Sequence, residues 1–289
     1  MNERELWLEL AGLRIRVSAD GSLSEAPGIL EGYITAKGTA DHTVHARMTD
    51  CFDLPTGQEL FADGAIRVFR DPGGVRIYRG EVSEKPEEGH TLVIRKEGEY
   101  TALFRREKLR GCITAKLLVN ALDLPHLLTI HDGFLLHASF IEYEGKAILF
   151  TAPSETGKST QAQLWCDHMG AALVNGDRAA VRIVDGEVYA CGIPISGSSP
   201  VRRNVTLPLG AIVCLSQALE NTISRLRGVR AFRRVWEGCT VNVWDRRDME
   251  LATATVSHVI ARIPVYHLAC TPDIRAVELL KHTMEVESC

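Results

Sequence analysis

Ala152-Pro153-Ser154-Glu155-Thr156-Gly157-Lys158-Ser159 stands between an apolar run and a helix-forming stretch. The spacing fits a phosphate-binding loop, with alanine at the first place, where glycine is usual. Such chemistry needs a turn whose backbone N–H groups converge on phosphate oxygens at a helix N-terminus. Gly157 lets the main chain approach, Lys158 adds positive charge near the transferring phosphate, and Ser159 offers a hydroxyl to Mg²⁺. Thr160 completes the nucleotide-binding set. The bland reading is a strand–turn–helix with a chance Gly-Lys-Ser; the context favours a nucleoside triphosphate site. A metal-bound triphosphate also needs an acid. Asp177 follows the buried run Leu173-Val174-Asn175-Gly176, where a chain leaving a sheet presents a carboxylate to phosphates and metal. The bland alternative is a turn aspartate opening the next hairpin; coupled to the loop upstream, the metal role is preferred.

The elements needed to hold these groups are present. Strands are expected over Phe134–Ile141, Ala147–Thr151 and Leu173–Val174, with a helix from the loop to about Met169. Val181–Val184 and Val188–Ala190 form a hairpin around Asp185-Gly186. Near the end, Thr271-Pro272-Asp273 supplies a cap, a first-turn proline and an acid to a helix whose apolar face is Ile274, Val277 and Leu280. Upstream, Ile113, Leu117, Leu118, Ala121 and Leu122 form one helical stripe, and Asp123 before Leu124-Pro125 caps a second short helix. Residues up to about 110 are rich in short strands: Ile66–Phe69 and Val75–Tyr78 flank Asp71-Pro72-Gly73-Gly74, and Leu92–Ile94 and Tyr100–Phe104 flank Glu97-Gly98. Ser83–Gly89 reads as an exposed loop. His42 and His45 lack an evident carboxylate or cysteine partner in sequence and read as polar positions of an exposed strand rather than metal ligands. The expected organisation is a β-rich N-terminal region, residues 1–110, followed by an α/β domain over 111–289 that includes a helical lead-in.

Composition bounds the function. At 289 residues the chain has length for about two domains. Hydrophobic residues at 45% and charged residues at 24% exclude disordered, collagen and fibrous classes. A formal charge of −4 argues against a protein that coats nucleic acid or anionic membrane. No apolar run is long enough to span a bilayer. The start, MNERELWLEL, lacks the basic and purely apolar segments of a signal peptide, so a cytoplasmic location is expected. The eight cysteines include no Cys-x-x-Cys pair and read as reduced, mostly buried small hydrophobes.

The segments "LLHASFIEYEGKAILFTAPSETGKSTQAQLW" and "ALVNGD" resemble the catalytic domain of HPr kinase/phosphorylase and its relatives. The likeness runs from about Leu135 to the C-terminus and is stronger over Leu135–Asp177 than beyond. It implies the fold of the nucleotide-binding part of phosphoenolpyruvate carboxykinase, a P-loop kinase domain. It further implies ATP and Mg²⁺ as cofactors, and phosphoryl transfer to a hydroxyl-bearing acceptor: a protein or peptide serine, or a small molecule. His137 matches the histidine of the family's His-Ala-Ser motif and is implied to lie near the γ-phosphate; a buried structural histidine is the alternative. Lys158 and Ser159 keep their phosphate and metal roles. Two departures matter. The family's paired aspartates become Gly176-Asp177, so the carboxylate thought to serve as base is absent and Asp177 corresponds to the metal-associated one. Glu155 stands where a glycine is common; it points outward or contacts the acceptor, with substitute general base as the sharper reading. The missing acid also weakens any claim to the family's reverse phosphorylase activity.

Three further segments carry hydroxyl groups or clustered positive charge. Gly192–Ser199 is hydroxyl-rich and forms either part of an acceptor pocket or a plain surface loop. Arg202 and Arg203 suit an anionic group, with solvated arginines as the default. Arg225, Arg227, Arg230, Arg233 and Arg234 accompany Phe232 and Trp236; the four-residue offset of the aromatics favours a buried helical stripe with arginines outward over an RNA surface. The leading expectation is an ATP-dependent serine-type kinase, with a homo-oligomer allowed by the β-rich region. The alternative is a catalytically impaired nucleotide-binding protein acting in regulation or assembly.

Overall fold

The computed structural model describes residues 4–20, 28–82, 84–96, 98–109, 113–197 and 199–288. Ser83 and Glu97 of the expected turns, Ser198 of the hydroxyl-rich segment, Cys112 and Cys289 lie outside the described residues. The protein is mixed α/β and has two compact units, Met1–Leu124 and Pro125–Cys289.

The first unit is built on an eight-stranded sheet. Its strands are β1 (Arg4–Leu10), β2 (Leu13–Ala19), β3 (His42–Thr49), β4 (Gln58–Asp63), β5 (Ile66–Asp71), β6 (Gly74–Arg79), β7 (Thr91–Lys96) and β8 (Glu99–Arg105). They lie in the order β1-β2-β3-β8-β7-β6-β5-β4, with β3 parallel to both neighbours. Alternation drives the burial: in β3 every second residue from His42 points into the core. His42 is therefore not an exposed strand position; it is buried and meets Tyr100 edge-on at 4.0 Å. Helix α1 (Ala115–Ala121) is capped by Thr114, whose Oγ1 accepts from Leu117 N at 3.4 Å. Asp123 stands directly before α2 at φ +50, and its carboxylate pairs with buried Arg95 at 3.2 Å.

The second unit begins within α2 (Leu124–Thr129) and holds a nine-stranded sheet system. Its elements are β9 (Gly133–Tyr143), β10 (Lys146–Thr151), α3 (Lys158–Met169), β11 (Ala172–Asn175), β12 (Arg178–Val184), β13 (Glu187–Cys191), β14 (Thr206–Gln217), β15 (Thr222–Leu226), α4 (Gly228–Trp236), β16 (Cys239–Thr240), α5 (Arg246–Arg262), β17 (Val265–Cys270) and α6 (Ile274–Ser288). Two long strands each serve twice. The first half of β9 pairs with β12 and its second half with β10. The start of β14 pairs with β13, and its remainder lies between β10 and β17, parallel to both. Helices cover both faces, which is why these strands are apolar without alternation. Ala162 and Trp165 of α3 join Val277 and Leu280 of α6 in one core; Ala231 and Val235 of α4 join Val256 and Val259 of α5 in the other. Trp165 is fully buried, edge-on to Tyr143 at 5.0 Å.

The capping of α6 differs from expectation. The helix starts at Ile274, and Asp273, not Thr271, caps it: Oδ1 accepts from Arg275 N at 3.0 Å. Among the described residues no helix is long and apolar enough to cross a membrane. Among the described residues every cysteine is a free thiol; Cys191 and Cys214 are buried and Cys51 is exposed, so burial is less general than the sequence suggests.

Candidate functional site

The parallel strands β10, β14 and β17 all end on the same side of their sheet, where open α/β sheets place ligands. From β10 the chain enters the loop at Ala152 and emerges at Lys158 as α3. Gly157 is the N-cap, at φ +112 and ψ 15. No heavy atom lies within 4 Å of where its Cβ would be, so this position demands glycine for its backbone angle, not for space. No side chain caps the helix, so its first N–H groups are left to loop, water or ligand. Pro153, Ser154, Glu155, Ser159 and Thr160 are exposed and Ala152 and Thr156 are half-buried. Glu155 also sits in the left-handed region, at φ +64, which costs an L-residue about 1 kcal/mol. Its carbonyl accepts from Gln217 Nε2 at 3.3 Å.

Lys158 is 7% exposed, and its ammonium folds back over the start of the loop to Ala152 O at 3.0 Å and Pro153 O at 3.2 Å. Burial lowers its pKa, with the charge of Asp177 opposing. The amine therefore marks one end of the loop.

Asp177 and His137 come together at that end. His137 Nδ1 lies 3.3 Å from Asp177 Oδ1, and Arg178 Nε lies 3.3 Å from Asp177 Oδ2. Main-chain bonds fix the pair: Ala138 N donates to Asp177 O at 2.9 Å, and Thr151 Oγ1 donates to His137 O at 2.9 Å. Burial lowers the His137 pKa first and Lys158 lowers it further, against the pull of Asp177. The ring is thus biased toward its neutral form, able to accept a proton.

The turn that delivers Asp177 is organised by Asn175, a residue the sequence reading passed over. It is fully buried, and its Oδ1 accepts from Asp177 N at 2.9 Å and Arg178 N at 3.0 Å. Its Nδ2 donates to Ile193 O at 3.0 Å and Ile195 O at 2.8 Å. One side chain therefore ties the Asp177 turn to the 192–197 segment. That segment closes over the carboxylate: a Cβ at Gly197 would sit 3.1 Å from Asp177 Cγ. Gly176 faces Ser199, whose Cβ would be 2.8 Å from an added Cβ, so a side chain at 176 requires the Ser199 segment to shift. Arg202 and Arg203 are engaged elsewhere, with Ser196 Oγ at 3.0 Å and Glu142 Oε2 at 3.1 Å.

Cavities flank the loop on two sides. A cleft of about 650 Å³ runs along Glu155, Gly157 and Gln161 to Gln217, Leu219 and Pro272. At the Lys158 end, a cavity of about 280 Å³ is lined by His137, Pro153, Ser154, Cys214, Arg234 and Glu237. A neighbouring one of about 380 Å³ shares Ser154 and Arg234 and adds Ser216. Ser216 Oγ and His267 Nε2 are hydrogen-bonded at 2.9 Å. Phe232 and Trp236 do stack, with ring centroids 5.3 Å apart, and pack on the core as the helical offset indicated. Arg234, however, does not simply face outward with its neighbours; it lines both cavities.

No protein-family model and no curated protein matches the chain. Among solved structures, it is similar to the Hpr(Ser) kinase/phosphatase from Coxiella burnetii, with a TM-score of 0.31 and 12% identity. The overlap covers 53% of this chain and 93% of that one.

Proposed function

We propose that the second unit is an ATP-dependent phosphotransferase that moves the γ-phosphoryl group onto an acceptor hydroxyl. The observation that carries this reading is the Lys158 ammonium held over a helix-capping glycine loop, with the His137–Asp177 pair at the same end. The uncapped N–H groups of α3 suit a polyphosphate. Exposed Ser159 and the Asp177 carboxylate form an all-oxygen donor set, which fits a hard cation such as Mg²⁺. Bound there, the ion would neutralise phosphate charge.

With Gly176 in place of an acid, and Glu155 exposed and outside the cavity at the Lys158 end, His137 is the group placed there to take the hydroxyl proton. Its Nδ1 faces Asp177, which holds the ring, and Nε2 accepts the proton as the acceptor oxygen bonds to phosphorus and the bond to the departing ADP breaks. Most of the rate comes from positioning and charge neutralisation, so a neutral histidine suffices. The second reading, a nucleotide-binding regulator without catalysis, draws on that same Gly176. ADP formation from ATP and Mg²⁺ separates the two, measured with protein, peptide and small-molecule hydroxyl acceptors. Acceptor-dependent ADP release that Lys158→Ala abolishes supports the kinase. Tight nucleotide binding without turnover on any acceptor supports the regulator.

A further inference from the structure

The loop has a polarity. In a phosphate loop the lysine reaches the β- and γ-phosphates, so its amine identifies the transfer end. Here the Lys158 amine lies over Ala152 and Pro153, and the 280 Å³ cavity opens beside those residues. His137 lines the same cavity. It is the space into which an acceptor must bring its hydroxyl. Among its lining side chains only Arg234 carries a fixed positive charge, its neighbours in charge being Glu237 and the His137 ring.

Arg234 is poorly committed to its own fold. Among the described residues its one ion pair is with Glu237, Nη1 to Oε2 at 3.6 Å, too long for a hydrogen bond. Glu237 is meanwhile engaged by Arg233 at 3.2 Å. The Arg234 side chain is 41% exposed and lines both cavities at the transfer end. Its charge reaches the strand ends behind it, where it adds to the burial that lowers the His267 pKa. A planar fork of donors in a small concavity suits bidentate capture of a carboxylate or phosphate. An anionic acceptor placed against a triphosphate needs such compensation, since like charges at close range repel.

We propose that Arg234 anchors the acceptor: the hydroxyl compound that receives the phosphoryl group carries a carboxylate or phosphate, and the guanidinium holds it beside His137. The inference rests on the kinase reading of the loop. The test is calorimetric titration of the full-length protein, loaded with Mg²⁺ and a non-hydrolysable ATP analogue, with glycerol, glycerate and glycerol 3-phosphate. Both anions bind at least tenfold more tightly than glycerol; whichever binds better identifies the anchored group. Arg234→Ala removes that advantage with nucleotide affinity unchanged within twofold, Arg234→Lys retains part of it, and Glu237→Gln, which removes the competing carboxylate, enlarges it. Equal binding of the three compounds overturns the proposal, as does an Arg234→Ala protein that keeps the preference. A loss of nucleotide affinity in Arg234→Ala also overturns it, by assigning the guanidinium to the nucleotide. Failure of the analogue to bind at all instead overturns the kinase reading, which keeps the two failures distinct.

Discussion

Replacing Asn175 with alanine removes four hydrogen bonds in one change: two to the 193 and 195 carbonyls and two from the 177 and 178 amides. A hydrogen bond contributes about 1 kcal/mol net, and an orphaned buried group costs about 1–3 kcal/mol. Ile193 is 1% exposed, so its carbonyl stays dry after the change, whereas Asp177 and Arg178 are half-buried and regain water. The three bonds whose partners regain water cost about 3 kcal/mol and the dry Ile193 carbonyl about 1–3 kcal/mol more, about 4–6 kcal/mol in all, lowering Tm by about 8–24 °C for a domain of this size. Differential scanning calorimetry of the full chain measures it. Asn175→Asp keeps the acceptor and, when protonated, offers one O–H donor in place of two N–H, so it falls between wild type and alanine only if the buried carboxyl stays neutral. A shift under 2 °C for Asn175→Ala would refute the assignment of Asn175 as the tie between the Asp177 turn and the 192–197 segment.

Three other outcomes are expected. His137 keeps its neutral form to lower pH than an ordinary histidine, because burial and Lys158 disfavour its charge. Its contribution to stability is therefore complete above the unfolded pKa of about 6.5 and is lost as pH falls through the lower folded value. The acid limb of kcat/KM accordingly falls below pH 6.5, and His137→Gln flattens it; an unchanged acid limb in that variant excludes the ring as proton acceptor. Gly157→Ala meets no clash, so its cost is backbone strain of about 1–3 kcal/mol at φ +112, read by urea unfolding, together with weakened nucleotide affinity. Wild-type stability in Gly157→Ala would show that the loop relaxes freely. Iodoacetamide at pH 8 followed by peptide mapping finds exposed Cys51 alkylated well before Cys214, whose thiol burial pushes up to about 12. Equal labelling would mean that the cavity wall at Cys214 opens in solution.

The elements around the site were readable because local chemistry agrees with the fold there. The Asp185-Gly186 turn adopts positive φ at both residues, as a tight hairpin requires, and the apolar strand, glycine-capped loop and helix follow in the order the loop motif demands. Where the reading erred, long-range contacts decided. Asp123 has the sequence signature of a cap, and its ion pair with Arg95, remote in sequence, has no local signal. His42 alternates inward because β3 lies between two strands that no local signal pairs with it. The meeting of His137 with Asp177 was legible only through the resemblance, since β9 and the start of β12 pair across distant positions. Asn175 and Arg234 left no signal: one is an ordinary strand-end amide, the other one of several arginines on α4, and only tertiary placement distinguishes them.

On the kinase reading, the main chain from Ala152 to Ser159 wraps a triphosphate with Lys158 sharing its charge. Calorimetric titration of the full chain with ATP, with and without Mg²⁺, tests it most directly. One Mg²⁺-dependent site is expected, its affinity falling at least tenfold in Lys158→Ala while the thermal transition stays in place. Affinity indifferent to Lys158, or no ATP binding by a folded wild-type protein, would contradict it.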